Sequence, residues 1–315
     1  MNEKDRVGAV ARPFSPEALL KRRIRAHFKK LGFSRAADGS LTLPGAEKDD
    51  VRQLHSGQRA ERLSAGENFL SRALPKALAH FADGAEIDPS KIRLCLIRVY
   101  SDTLEADLFR VATLTWSVPV SPGFGRRMRY LVWDEHHERL AGIIALGDPV
   151  FNLTVRDDQI GWTVHDRSNR LVNLLDAYVL GAVPPYNLLL GGKTVACLVR
   201  SREIYDDFKA TYGKTVGVIS KVAKKANLLV VTTTSSMGRS SIYNRLKLAE
   251  RTYFSPIGYT VGWGHFHITD QLFADLRHYL RLIEHPYGSV KNLGRYAASW
   301  IAWWPNRPSS RAALT

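Results

Sequence analysis

Cysteine is almost missing from this chain: only Cys95 and Cys197 occur among 315 residues, each in an apolar stretch with no second thiol near it. That scarcity excludes a disulfide framework and a cysteine-built zinc site, and it fits a reducing compartment. Long apolar runs are missing too. No uninterrupted stretch approaches the roughly 20 residues that span a bilayer, and the first twelve residues carry no apolar segment or small-residue cleavage site. A cytoplasmic protein without a membrane partner is expected. GxSxG, HExxH and CxxC are all absent, so no motif points to serine-hydrolase, zinc-peptidase or dithiol chemistry. Acid is in short supply: 30 Asp and Glu stand against 45 Lys and Arg, a formal net charge of +15. A surplus of that sign attracts polyanions, of which nucleic acid is the commonest.

What is present suffices for a core, since 45% of the residues are hydrophobic. The first segment, 15–33, starts with a cap-like Ser15 and Pro16 and places Leu20, Ile24, Phe28 and Leu31 at helical spacing. Its polar side carries Arg22, Arg25 and Lys29. A second helical zone covers about 47–84. From Ile92 the pattern changes: 92–102 and 107–121 are rich in β-branched and aromatic residues and predict strands. The stretch 127–151 predicts a hairpin turning at Asp134 to Arg139, with 158–166 as a further strand of the same sheet. Helices are predicted at 169–181, 193–213, 240–251 and 269–285, and strands at 227–236 and 257–269. This order predicts an α+β fold, a central mixed and largely antiparallel sheet flanked by helices. Three regions are expected: a basic helical region at 1–90, the α+β core at 91–285, and a basic tail at 286–315 with Trp300, Trp303 and Trp304.

Five stretches are candidates for chemistry. Gly123 and Gly125 precede Arg126, Arg127 and Arg129, so a pliant turn would present guanidinium forks to phosphate, and a strand entry with solvated basic residues explains the same run. Arg156 stands beside Asp157 and Asp158, as a local ion pair or as a phosphate contact, and Arg170 follows. Gly191, Gly192 and Lys193 open a predicted helix whose N-terminus can hold phosphate. Leu188 breaks the P-loop pattern, and a plain helix cap explains the same residues. Arg239, Ser240, Ser241, Tyr243, Asn244 and Arg245 follow a predicted strand, where open α/β sheets place ligands; the serines also suit helix capping. His265 and His267 share one face of a predicted strand without a third ligand near, and Asp134, Asp148 and Asp157 have no spacing rule that ties them together. No metal and no cofactor is expected.

Read in order, LFR (108–110), WSVPVSPGFGRRMRYLV (116–132), LGDPVF (146–151), RDDQIGW (156–162), LGAVPPYN (180–187), LLGGK (189–193), TTTSSMGRSSIYNRL (232–246) and IGYTVGWGHF (257–266) resemble the DruA family of the Druantia anti-phage system. The resemblance runs over about 19–280 and includes Lys48, Arg52, His55 and Arg59. It implies a part in phage defence beside a helicase-like protein encoded nearby, and leaves the reaction open. With the charge it points to nucleic-acid binding, DNA first, the residues being those named above from Arg22 to Arg245. A layout of strand, Gly-rich turn and helix from Ala182 onward is similar to GNAT-type acyltransferases, which would put an acyl-CoA pyrophosphate on 190–194. A transposon-associated DNA-binding role and an adaptor using the tail tryptophans are further alternatives.

Overall fold

The computed structural model describes residues 14–42, 47–120, 125–189, 191–216, 223–235, 237, 240–259 and 267–289. The chain divides into two compact units, 1–46 with 265–315, and 47–264. In the smaller unit, α1 (Pro16–Lys30) begins where Ser15 Oγ accepts from the Ala18 N–H, and it ends before Gly32 at φ 87°. A short hairpin, β1 (Ser34–Arg35) with β2 (Leu41–Thr42), follows. The helix at the other end of the chain, α10 (Asp270–Leu282), is capped by Thr269. Leu20 of α1 packs with Ile268, Leu272 and Leu276, while Arg23 pairs with Asp275 at 2.5 Å. Both helices fall where their caps and leucine spacing predict.

In the larger unit, α2 (Lys48–Leu54), α3 (Ser56–Ala65) and α4 (Glu67–Ala77) precede a five-stranded sheet. Its strands lie side by side as β3 (Leu94–Arg98), β4 (Arg127–Asp134), β5 (Arg139–Gly147), β6 (Leu174–Ala182) and β9 (Val230–Thr232). The first three pairings are antiparallel and β6–β9 is parallel. α5 (Leu104–Leu114) joins β3 to β4, and α6 (Thr154–Ile160) with α7 (Val164–Arg170) joins β5 to β6. The parallel step requires a long crossover, which α8 (Gly191–Leu198) and α9 (Arg202–Tyr212) supply. The fold is α+β with a mixed, mostly antiparallel sheet, as the sequence predicts. Met128, Ile144 and Leu175 lie under α8 and α9, whereas Leu131, Ile143 and Val179 lie under α4 and α5. Contact is close: a Cβ on Gly142 would stand 2.6 Å from Val195 Cγ2. Among the described residues, no helix is long and apolar enough to cross a membrane.

Several local expectations are overturned. The segment 107–114, expected as a strand, lies in α5, because Thr103 caps it and Leu108, Phe109, Val111 and Ala112 bury one helical face. The predicted helix at 169–181 is mostly β6; a strand buried on both faces shows a continuous apolar run, which periodicity cannot separate from a helix. Residues 158–166, expected to extend the sheet, belong to α6 and α7, parted by Gly161 at φ 77° and restarted by a Thr163–Asp166 capping box. Beyond Ser240 a turn leads into a hairpin of β10 (Lys247–Leu248) and β11 (Arg251–Thr252) instead of a helix. The strand expected at 227–236 is confined to the three residues of β9, and 193–213 is two helices broken at Ser201. The residues 260–266 of the predicted last strand and the tail tryptophans lie outside the described residues.

Two networks hold the sheet ends. At the β4–β5 turn, the buried Asp134 accepts N–H groups of Arg93 (3.0 Å) and His136 (3.2 Å) on Oδ1 and the Tyr186 hydroxyl (2.8 Å) on Oδ2. Its Oδ2 also lies 2.6 Å from His137 Nδ1; because His137 Nε2 accepts the Asp88 N–H at 3.1 Å, Nδ1 carries the proton. Burial pushes this carboxyl up, and the bonds from Arg93, His137 and Tyr186 outweigh it, leaving it below the usual carboxylate value. At the opposite end, Arg126 reaches Asp148 Oδ1 through Nε (2.6 Å), Val172 O through Nη1 (2.5 Å), and Leu174 O and Leu171 O through Nη2 (2.9 and 3.3 Å). Gly125, at φ 84°, makes room: a Cβ there would stand 2.0 Å from Asp148 Oδ2.

Both networks have measurable consequences. A carboxylate held below its unfolded pKa of about 3.9 contributes stability present above that pH and lost as pH falls through the folded value. Asp134→Asn is therefore expected to lower the urea midpoint at pH 7 and to weaken its fall between pH 7 and pH 3; an unchanged acid branch would contradict this. Arg126→Met removes the side-chain donor from Asp148 Oδ1 and from three carbonyls, while the backbone N–H to Asp148 Oδ2 remains, at a cost of about 2–3 kcal/mol in urea unfolding. A cost below about 0.5 kcal/mol, the size of an ordinary surface change, would show the clamp to be incidental.

Candidate nucleic-acid interface

Strand alternation sorts the residues that follow Arg126. Met128 and Tyr130 go beneath α8 and α9, while Arg127 and Arg129 emerge together on the α5 face. The Arg127 guanidinium lies 5.4 Å from the Tyr178 ring centroid and that of Arg129 lies 5.7 Å from the Phe109 ring. Both side chains are half-buried, and neither guanidinium has a hydrogen-bond or ion-pair partner among the described residues. The Arg127 backbone is fixed by the Tyr212 hydroxyl, which accepts its N–H and donates to its carbonyl, each at 2.9 Å.

Tyr178 is the extra residue of β6 where register with β5 shifts, Ala145 facing Val179 and Leu146 facing Ala177. A Cβ on Gly147 would come within 3.0 Å of its ring, so the glycine leaves the space the ring fills. Burial pushes the Tyr178 hydroxyl pKa up, and Arg127 and Arg129 pull against it. Opposite Gly147 stands Asp176, whose Oδ1 accepts from Thr232 at 2.8 Å; burial raises its pKa against the opposing pull of Thr232 and Arg156. Sequence reading passed over Asp176 and Tyr178. The signal was there, an acid inside the apolar run LLDAYVLG. Partly dehydrated guanidinium groups without a counter-charge are costly alone and complementary to phosphate.

The remaining candidates fall elsewhere. Arg126 and Arg156 do not offer the free forks expected of phosphate contacts. Four of the five Arg126 donors are taken, and Arg156, 1% exposed, gives Nε and Nη2 to Asp157 (2.8 and 2.7 Å) and also serves Val150 O and Phe151 O. The local ion pair is thus the role the fold gives Arg156. Lys193 sits on the α8 side of the sheet. Its glycines serve packing, since a Cβ on Gly191 would meet Tyr186 O at 2.5 Å and one on Gly192 would meet Ile242 Cδ1 at 3.1 Å.

That contact brings the start of α8 beside the Ser240–Arg245 turn, joining two stretches distant in sequence. There Ser240 Oγ accepts from Ile242 and Tyr243 N–H (3.2 and 3.4 Å), and the Tyr243 hydroxyl donates to Leu180 O at 3.3 Å. Ser241, Asn244 and Arg245 are exposed, whereas Arg239 lies outside the described residues. Arg170 is on the surface, paired with Asp166 at 3.2 Å. In the smaller unit Arg22, Arg25 and Lys29 are exposed at spacings of three and four, one stripe of α1. His267 is buried and His265 is outside the described residues. Among the described residues no three His, Cys, Asp or Glu gather as metal ligands; Asp134, Asp148 and Asp157 are each engaged by a different partner.

Comparison with known proteins meets this picture. The family model described as Druantia protein DruA matches residues 45–297. A relative from Escherichia coli (strain UMEA 4076-1), Druantia protein DruA, is 61% identical over 271 residues, which cover 86% of this chain and 67% of the relative. No solved structure matches the chain. The chain belongs to the DruA family, whose namesake is a component of the Druantia anti-phage defence system.

Proposed function

We propose that this protein serves anti-phage defence by binding nucleic acid, duplex DNA in particular, with Arg127 and Arg129 as phosphate contacts and the α1 stripe of Arg22, Arg25 and Lys29 as a further one. One observation carries the reading: two half-buried guanidinium groups stand over aromatic rings, 5.4 and 5.7 Å from the centroids, on one face of one strand, with their donor forks unused. Packing over the rings restricts each side chain before a ligand arrives, so less rotamer freedom is lost on binding. The net charge of +15 supplies long-range attraction. A helicase-like defence protein encoded nearby fits as a partner on the same DNA.

Acyl transfer from CoA is the second reading, favoured by the parallel β6–β9 pair with α8 and α9 crossing between its strands. Against it, Gly191 and Gly192 are already accounted for by Tyr186 and Ile242. Calorimetry with acetyl-CoA decides: the DNA reading expects no heat.

Fluorescence anisotropy with a labelled duplex, repeated over a salt series, tests the main reading. Binding is expected to weaken with salt, and Arg127→Glu with Arg129→Glu is expected to reduce affinity about tenfold or more and the salt slope by about 2. Unchanged affinity and slope in a double variant that melts like the parent would refute these two contacts.

A further inference from the structure

Between α9 and β9 the chain makes a two-stranded ribbon, β7 (Lys214–Val216) and β8 (Ala223–Lys225), that pairs only with itself among the described strands. Its register sets Lys214 directly across from Lys225. Opposed residues of an antiparallel pair project from the same face, and like charges in that position destabilise the pair. Both lysines are exposed, and neither ammonium has a hydrogen-bond or acidic partner among the described residues. A lone two-stranded ribbon is already marginal in water. Nothing inside the described fold offsets the repulsion.

The base of the ribbon is nevertheless held firmly. Ala226 N–H donates to Gly213 O (3.2 Å), Asn227 N–H to Asn173 Oδ1 (2.9 Å) and Leu229 N–H to Asn173 O (3.0 Å). The Tyr205 hydroxyl of α9 adds a bond to Asn227 Oδ1 at 2.8 Å. On the other face, Lys224, which pairs with Thr215, donates through Nζ to the Ser168 carbonyl in α7, so that lysine is engaged internally while the side chains of Lys214 and Lys225 are not. A repelling pair on an anchored support is the arrangement an external polyanion would relieve.

We propose that Lys214 and Lys225 form a phosphate-contacting pair on duplex nucleic acid, the β7–β8 ribbon carrying them to the backbone; this rests on the nucleic-acid reading above and adds residues to it. Ammonium groups act as point charges on phosphate and carry no sequence information, and a two-stranded ribbon fits the major groove of about 12 Å. An anionic lipid surface would share the charge, but stable membrane attachment needs an apolar face. Of the described ribbon residues Val216 is 59% exposed, and vesicle binding, below, separates the two sources of negative charge.

Lys214→Glu in the full chain separates this role from a structural one, because it replaces a repulsion with a cross-strand ion pair. The thermal midpoint is expected to hold or rise while duplex affinity falls several-fold and the salt slope falls by about 1. Lys214→Gln is expected to show the smaller loss of affinity at the same midpoint. Parental affinity and slope in Lys214→Glu, with binding still sensitive to Arg127→Glu and Arg129→Glu, would overturn the ribbon alone. A parent that does not bind duplex would overturn both readings. Retention of the parent on phosphatidylglycerol vesicles, lost in Lys214→Glu while duplex affinity is unchanged, would assign the pair to a lipid surface and overturn it as well.

Discussion

One end of the sheet depends on one largely buried cation. Arg126 stands just ahead of β4 and gathers Asp148 beyond the end of β5 with the carbonyls of Leu171 and Val172 just before β6 and of Leu174 at its start, so three strand ends are tied by one guanidinium. Its fork suits that task because planar, spaced donors can meet several acceptors at once. The ring centroids of Phe208 and Tyr212 in α9 lie 5.4 and 5.8 Å from its Cζ and cover the guanidinium, while Asp148 keeps an edge to solvent. With that end of the sheet held, Arg127 and Arg129 have defined places on the opposite face.

The distinction between arginines whose donors are taken and arginines whose donors are unused organises the electrostatics. Arg126 and Arg156 face carboxylates and carbonyls and act as internal cross-links. Arg127 and Arg129 have aromatic rings where a carboxylate would otherwise stand. Rings hold a guanidinium by its face and leave its edge donors available. A chain with 15 more cations than anions cannot neutralise every basic group internally. What matters is which ones it leaves, and here they include groups seated over aromatic rings, on a strand or on an anchored ribbon.

Much of the architecture was legible in the residues and some was not, for identifiable reasons. α1 and α10 announce themselves through Ser15, Thr269 and leucines at helical spacing, and the β4–β5 hairpin through two apolar runs around Asp134 to Arg139. β6 was hidden because a central strand buried on both sides loses its alternation. α5 was hidden because β-branched and aromatic residues packed a helical face. At the site, the run RRMR marked a basic strand entry, yet nothing local separates Arg126 from Arg127. That difference is made by Asp148 and the 171–174 carbonyls, which lie 22 or more residues away. The lysine pair was equally invisible, since Lys214 and Lys225 become neighbours only when the ribbon closes.

Arginine-selective modification with phenylglyoxal, read peptide by peptide by mass spectrometry with and without duplex DNA, tests the central claim most directly. Arg127 and Arg129 should react in the free protein and be protected by DNA, while Arg126 and Arg156 stay unreactive in both states. Equal modification of Arg127 and Arg129 in the presence and absence of bound DNA would contradict the account.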